Sequence, residues 1–209
     1  QLEKSTSKKV ISLFHPINLH LPKPVSKSIA KVNLGLDENT YISFVGLIRR
    51  YKGLETLISS MKLIKRNDIK LIIAGEFYEP VDKYLNLIKN LDLNDKIIIN
   101  NTFLDSKMIR DYICASDLVI QPYIKASQSG ITPLCYFYET PSVVSNIKGL
   151  KDIILKDKSG TTFEKTPENL SIAIQESLEE ERNNQYIINI KKTKLEYSWS
   201  SFIKELQKL

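Results

Sequence analysis

Short apolar runs alternate with helix-spaced apolar residues through most of this 209-residue chain. Five of the runs are predicted to be strands, at residues 41–45, 69–74, 97–99, 118–120 and 142–145. Strands that are apolar almost throughout need cover on both faces, which a parallel sheet between two layers of helices provides. The alternation therefore predicts an α/β fold, a Rossmann-like doubly wound parallel sheet.

Helical spacing links these strands and continues after the last of them. Helices are predicted around residues 54–64, 81–91, 108–113, after Gly130, and around 170–178 and 199–206. Asp105 or Ser106 is a suitable N-cap for the third. Residues 10–14 form a further candidate strand, and the Pro-, Ser- and Lys-rich stretch up to residue 27 is typical of a linker.

The charge balance argues against a nucleic-acid partner. The chain is 42% hydrophobic and 26% charged, with a net charge of +6 spread along its length. Nucleic-acid binding would need a continuous basic face with aromatic partners, and no such pattern occurs. A weak attraction to an anionic membrane surface stays open. No apolar run approaches the length of a membrane span.

Cysteine and histidine usage argues against a metal site. Cys114 and Cys135 both lie in apolar segments, which favours two buried thiols and a reducing, cytoplasmic compartment. With His15 and His20 they make no zinc-ligand spacing. The first residues are not those of a signal peptide, and the missing initiator Met suggests a processed or excised chain.

A glycine-framed basic loop follows the first predicted strand. Gly46 comes directly after the apolar run, Arg49, Arg50 and Lys52 follow, and Gly53 precedes a helical pattern. Glycine lets backbone approach a ligand closely, and basic side chains beside a helix start favour anions. This loop is therefore predicted to bind phosphate.

A second polar loop follows the fourth predicted strand and ends at Gly130. Its small residues can expose backbone N–H groups and hydroxyls, although an N-capped helix after a turn explains them equally well. The polar loops all follow strands, so they should gather at one edge of a parallel sheet, where such folds bind ligands.

With both loops in view, the chain resembles the C-terminal, nucleotide-sugar-binding domain of the group 1 retaining glycosyltransferases, which have the two-domain GT-B fold. The similar segments are residues 15–16, 31–36, 44–53, 72–76, 115–123, 127–130, 141–145, 149–152 and 197–199. The resemblance implies an interdomain linker and N-terminal strand over residues 1–27. It further implies a donor-binding domain over 28–196 and a C-terminal crossing helix over 197–209.

The resemblance also implies roles for individual residues. Arg49 and Lys52 would be catalytic, holding the donor diphosphate while negative charge builds on it, so that no metal or other cofactor is needed. Arg50 would face solvent. The implied substrate-binding residues are Gly46, Gly75, Glu76, Thr102, Phe103, Tyr123, Ser127, Gln128, Ser129, Gly130 and Ile131. Among these, residues 129–131 would offer backbone N–H groups, residues near 101–103 would border the base, and Glu76 serves equally well in a surface turn.

Two departures from the family pattern limit these expectations. Many members carry two glutamates eight positions apart for the sugar and the ribose, where this chain has Ser127 and Cys135. Glu139, further along, is assigned no role. The family's acceptor site and catalytic histidine belong to an N-terminal domain, and some 40 residues before the first strand are too few for one. His15 is therefore not given that role.

The expected function is donor binding within a glycosyltransferase that moves a hexose-type sugar to a hydroxyl acceptor in glycan synthesis. Its partners would be a nucleoside diphosphate sugar and an acceptor-binding domain. The location would be cytoplasmic, or peripheral on the inner face of a membrane. A standalone nucleotide-binding module and another GT-B enzyme, such as a sugar-nucleotide epimerase, remain alternatives. The base, the sugar and the acceptor stay open.

Overall fold

The computed structural model describes residues 13–18 and 20–208, and its centre is one parallel sheet. The strands are β1 Thr40–Val45, β2 Ile69–Ala74, β3 Ile97–Asn100, β4 Leu118–Gln121, β5 Ser142–Ser145 and β6 Gly160–Phe163. Their order is β3-β2-β1-β4-β5-β6, and every neighbouring pair is parallel. The predicted Rossmann-like fold is confirmed.

Helices connect the strands. They are α1 Lys27–Leu34, α2 Leu54–Met61, α3 Asp82–Asn90, α4 Ser106–Ala115, α5 Ile131–Phe137, α6 Lys151–Asp157, α7 Pro167–Ser177, α8 Glu180–Thr193 and α9 Trp199–Leu206. Two 3-10 turns, Arg50–Lys52 and Lys194–Tyr197, complete the set. Asp105 caps α4, because its carboxylate accepts from the N–H groups of Lys107 and Met108 at 2.8 Å.

Side-chain alternation along the strands divides the core into two layers. Ile42 and Phe44 of β1 point to the layer beneath α2, α3 and α7, whereas Tyr41 and Val45 point to the layer beneath α1, α4 and α5. Residues 41–45 of β1 are all buried. A strand covered on both faces has no need of polar alternation, which explains the continuous apolar runs in the sequence.

The five strands predicted from residue 41 onwards are confirmed, whereas β6, α8 and the candidate strand at residues 10–14 differ from the predictions. β6 was not predicted, because its sequence Gly-Thr-Thr-Phe lacks an apolar run. α8 was also missed, because it is mostly polar and buries only Ile190. Of the candidate strand at residues 10–14, residues 10–12 lie outside the described part, and Leu13 and Phe14 belong to no strand.

The final helix, α9, lies on the domain without being buried in it. None of its residues is buried, and Trp199, Ile203 and Leu206 are each more than 40% exposed. The helical stripe predicted at residues 199–206 is confirmed. Its crossing to a partner domain, and the domain boundaries drawn above, stay predictions.

Candidate functional site

The two predicted loops meet where the strand order reverses. β1 and β4 are neighbours in the sheet, but the chain continues from β1 to β2 on one side and from β4 to β5 on the other. Connections that diverge in this way leave a crevice at the carboxyl ends of the strands. Gly46, after β1, would place a Cβ 3.3 Å from Cδ1 of Ile131, the first residue of α5. The predicted gathering of the loops is therefore present.

Gly46 and Gly75 allow the backbone segments that follow β1 and β2 to pack closely against each other. Gly46 has a φ of 102° and Gly75 a φ of 143°, values that side chains rarely permit. The Gly46 N–H donates to the Ala74 carbonyl at 2.9 Å, and a Cβ on Gly75 would clash with the Gly46 carbonyl. The structure gives Gly46 and Gly75 a packing role, and their contact with substrate stays a prediction.

A third glycine joins the two loops. Gly53 ends the 3-10 turn with a φ of 68°, and any Cβ there would clash with the Pro122 carbonyl oxygen. Beside it, the Ile124 N–H donates to the Tyr51 carbonyl at 2.7 Å. The basic loop and the loop after β4 are therefore packed together through direct contacts between their backbones.

Lys52 is a buried cation at the junction of the loops. Lys52 is only 8% exposed, and its Nζ lies 5.5 Å from the centre of the Tyr123 ring. Burial, and then the nearby charge of Arg49, lower the pKa of Lys52 to about 8. No carboxylate of the described residues is paired with it. A buried charge without a counter-ion is costly, which favours an anion beside it.

Arg49 sits on the open side of the same loop. It is exposed, and its guanidinium lies 4.7 Å from the centre of the Tyr78 ring, which holds it by cation–π attraction. Arg50 is exposed, as predicted. Tyr78 was not singled out from the sequence, although its position shortly after Gly75, behind β2, places it at the same sheet edge and could have indicated it.

One of the backbone N–H groups at the start of α5 already has a hydrogen-bond acceptor. Ser129 is buried, and its Oγ accepts from the Ile131 N–H at 3.1 Å and lies 3.3 Å from the Tyr123 hydroxyl. That Ile131 offers its N–H to phosphate stays a prediction, and it would require this N–H to leave or share its bond to Ser129 Oγ. In the described part of the chain, the amides of Ser129 and Gly130 have no backbone acceptor. Open space surrounds the Gly130 Cα.

Gln128 and Ser127 differ in what they contact. The Gln128 carboxamide bonds to the backbone of Leu13 and His15, so its predicted contact with substrate would need a side chain that is engaged elsewhere. Ser127 is exposed, and its carbonyl lies against Gly149, where a Cβ would clash. The predicted glycine turn after β5 therefore supports this loop from behind.

The remaining predicted site residues lie along the edge formed by β2 and β3. Glu76 is exposed, while its carbonyl accepts from the Ile48 N–H at 2.9 Å. Thr102 is exposed, and Phe103 is 71% exposed, an unusual position for a large aromatic side chain. An exposed ring at this edge suits stacking on a flat base.

The structure shows where Cys135 and Glu139 lie relative to the crevice. Cys135 lies in the core layer under α5 rather than at the crevice, and burial raises the pKa of its thiol to about 12. Glu139 has a φ of 60°, and its carboxylate bonds to Lys194 at 2.7 Å and lies 3.5 Å from Lys191. Glu139 therefore holds α8 and the turn after it.

The described part of the chain contains neither a metal-binding cluster nor a helix that could cross a membrane. Residues 13–18 and 20–208 contain no group of three His, Cys, Asp or Glu side chains placed to hold a metal ion. That no metal takes part stays a prediction. None of the helices described is long and apolar enough to cross a bilayer.

The fold and its crevice define a Rossmann-like α/β domain. In the described part of the chain, its switch point carries a buried cation and two backbone amides without a backbone acceptor. The chain belongs to the glycosyl transferases group 1 family, whose model matches residues 26–194. The resemblance seen in the sequence is therefore confirmed.

This chain matches only part of the length of a curated relative. It is 33% identical over 159 residues to a glycogen synthase of Petrotoga mobilis, which is 72% of this chain and 32% of that protein. The chain spans less than half the length of the curated relatives it matches.

Solved structures agree on the fold. The C-terminal domain of a glycosyl transferase group 1 family protein from Francisella tularensis superimposes with a TM-score of 0.72 at 18% identity, covering 88% of this chain and 99% of that one. HepE of Anabaena, in complex with UDP-glucose, gives a TM-score of 0.75 at 17% identity, covering 96% and 57%. At these identities the likeness shows the fold alone.

Proposed function

We propose that this chain is the donor-binding domain of a retaining glycosyltransferase that moves a hexose-type sugar from a nucleoside diphosphate to a hydroxyl acceptor during glycan synthesis. The observation that carries the proposal is Lys52, a buried cation at the switch point of the sheet with which no carboxylate of the described residues pairs. A donor diphosphate would supply the missing anion.

Lys52 and Arg49 would act on the leaving group. When the bond between the sugar and the diphosphate oxygen breaks, negative charge grows on the diphosphate. Cations already fixed in place stabilise that charge without reorganising during the reaction. Lys52 is fixed by burial, and Arg49 by its stacking on Tyr78. Lys52 would lie closest to the phosphates, and Arg49 would reach them from the open side.

The other parts of the edge would bind the rest of the donor. The amides of Ser129 and Gly130 would donate to phosphate oxygens, and Phe103 would stack on the base. The complex of HepE with UDP-glucose supports a nucleotide sugar as the donor. The ribose would need a holder other than Cys135, which is buried in the core.

A second domain would supply the acceptor site. The short span of this chain against its relatives supports this, and so does the exposed apolar stripe of α9, which a partner domain would cover. Two domains closing over the donor would exclude the water that could otherwise hydrolyse it. The chain alone would therefore bind donor and transfer no sugar. We place the parent enzyme in the cytoplasm or at the inner face of a membrane.

Thermal melting with uridine, guanosine and adenosine diphosphates tests the proposal. A ligand at 100 times its dissociation constant adds about 2.7 kcal/mol to the free energy of unfolding. For a domain of this size the melting temperature should rise by roughly 5–10 °C with at least one of the three.

Two variants show whether any rise comes from the crevice. Lys52→Ala should remove the rise while the domain stays folded, because it removes the buried cation. Lys62→Ala, which changes an exposed lysine at the end of α2, should leave the rise intact. A chain that responds to none of the three diphosphates would contradict the proposal, and a normal rise in Lys52→Ala would remove Lys52 from the site.

A further inference from the structure

Gln128 binds the backbone of a segment far away in sequence. Its Oε1 accepts from the His15 N–H at 3.0 Å, and its Nε2 donates to the Leu13 carbonyl at 2.8 Å. The two bonds flank Phe14 and use one donor and one acceptor of the segment, as a neighbouring strand would. They fix residues 13–17, the N-terminal segment, against the loop of residues 127–130.

The N-terminal segment has a second anchor on Tyr197. The Phe14 ring packs edge-on against the Tyr197 ring, with centroids 5.0 Å apart. The Ile17 N–H donates to the Tyr197 carbonyl at 2.9 Å, and the Tyr197 hydroxyl donates to Asp157 at 2.6 Å. The segment therefore spans from the loop at one end to the residues before α9 at the other.

Little else holds the loop on this side. Ser127 rests against Gly149, but a cavity of about 1120 Å³ opens beside it, lined in part by Phe14, Gln128 and Tyr197. Packing cannot fix the loop where such space exists. The two carboxamide bonds are the direct link between the segment and the loop.

We propose that Gln128 is a positioning residue that couples the N-terminal segment to the loop. A displaced segment pulls on Gln128, which immediately precedes Ser129 and Gly130, and so moves the amides assigned to the phosphates. Because coupling between two sites is reciprocal, a bound donor in turn holds the segment in place. The effect on the donor rests on the proposed function, whereas the coupling itself does not.

A double-mutant cycle measures the coupling without any ligand. Phe14→Ala loosens the segment from Tyr197, and Gln128→Ala removes the link. Hydrogen exchange of the Ile131 amide, which donates to Ser129 Oγ in the loop, is the measurement. Phe14→Ala should speed this exchange about threefold or more in the native chain and leave it unchanged when Gln128 is already alanine. Equal effects in both backgrounds would show independent sites and overturn the proposal.

Controls separate coupling from general loosening. Leu206→Ala, on the exposed stripe of α9, should leave loop exchange unchanged. Phe14→Leu is a milder change at the same position, for use if Phe14→Ala fails to fold. Gln128→Glu keeps the shape but sets a carboxylate oxygen against the Leu13 carbonyl, so it should behave like Gln128→Ala. A native-like Gln128→Glu would also overturn the proposal.

Titration with uridine diphosphate tests the consequence for the donor. Phe14→Ala and Gln128→Ala should each weaken binding about fivefold, and the double variant no further. Unchanged affinity in both, with coupled exchange, would overturn the link to the donor. If the native chain binds no nucleoside diphosphate, the proposed function fails, and the exchange cycle still decides whether Gln128 couples segment and loop.

Discussion

The two loops that face each other across the crevice differ in how closely they are packed. The basic loop after β1 is fitted to its surroundings, with Gly53 against the Pro122 carbonyl and Lys52 buried beside Tyr123. The loop after β4 is open: Ser127 and Gln128 are exposed, and Gly130 has free space around it. One side offers fixed charge and the other offers backbone that can adjust.

This difference in packing suggests that the two loops have different roles in donor binding. Charge stabilisation works best when the cation is in place before the reaction, which a close-packed loop ensures. Backbone amides bind phosphate through short bonds, which an open loop can adapt to one donor or another. The fitted loop should therefore govern stability, and the exposed residues of the open loop, 127, 128 and 130, should govern affinity with little effect on stability.

Replacing one glycine in each loop by alanine should show the largest difference in stability between the two loops. Gly53→Ala should lower the free energy of unfolding by about 3 kcal/mol or more, because a Cβ there meets a backbone carbonyl and φ is positive. Gly130→Ala, with a φ of −69°, should leave stability unchanged or raise it by up to about 1 kcal/mol. Denaturant unfolding measures both.

Gly130→Ala, which should leave stability nearly unchanged, should weaken donor binding. The Gly130→Ala methyl group would occupy space assigned to phosphate, so affinity for the preferred nucleoside diphosphate should fall at least about tenfold. Calorimetric titration checks this. A Gly130→Ala variant that binds normally would exclude Gly130 from the phosphate contact, and a fully stable Gly53→Ala would end the comparison.

The sequence predicted the fitted loop better than the open one. Gly46, Gly53 and Lys52 stand at fixed offsets from an apolar strand, and the carboxyl end of that strand determines where they lie. Parallel strands from residue 41 onwards followed from the apolar runs alone. Strand β6 and helix α8 carried no such signal, since neither has an apolar face that dominates its sequence.

The contacts of the open loop could not be derived from sequence. Gln128 bonds to residues 113 and 115 positions away, and no local pattern specifies that pairing. The Ile131 amide looked available because residues before a helix usually expose their N–H groups, yet the Ser129 hydroxyl accepts from it. Side-chain geometry, rather than periodicity, decides both.

The pH dependence of binding tests the buried cation. Lys52 has a pKa of about 8, lowered by burial, so its charged fraction falls from about nine-tenths at pH 7 to about one-tenth at pH 9. Affinity for a nucleoside diphosphate should therefore fall about tenfold over that range. Titration at pH 7, 8 and 9 measures this loss.

Stability should move the other way over the same range. Between pH 8 and 10.5 the unfolded chain holds a proton on Lys52 that the folded chain has released, so the free energy of unfolding rises with pH. The rise from pH 7 to 9 should be about 1 kcal/mol relative to Lys52→Met, which carries no charge at either pH. Parallel stability curves for the two proteins would contradict a lowered pKa for Lys52.

A local effect on stability is expected at the hydroxyl pair beneath the open loop. Ser129→Ala leaves the Ile131 N–H and the buried Tyr123 hydroxyl without their partner, which should cost about 1–2 kcal/mol. Ser127→Ala, at an exposed position, should change stability by less than about 0.5 kcal/mol. Because Tyr123→Phe removes the stranded hydroxyl, the double variant should lose less than the sum of the two single losses. Strict additivity in denaturant unfolding would mean that the two hydroxyls do not interact, and that the open loop is less fixed at Ser129 than its short contacts indicate.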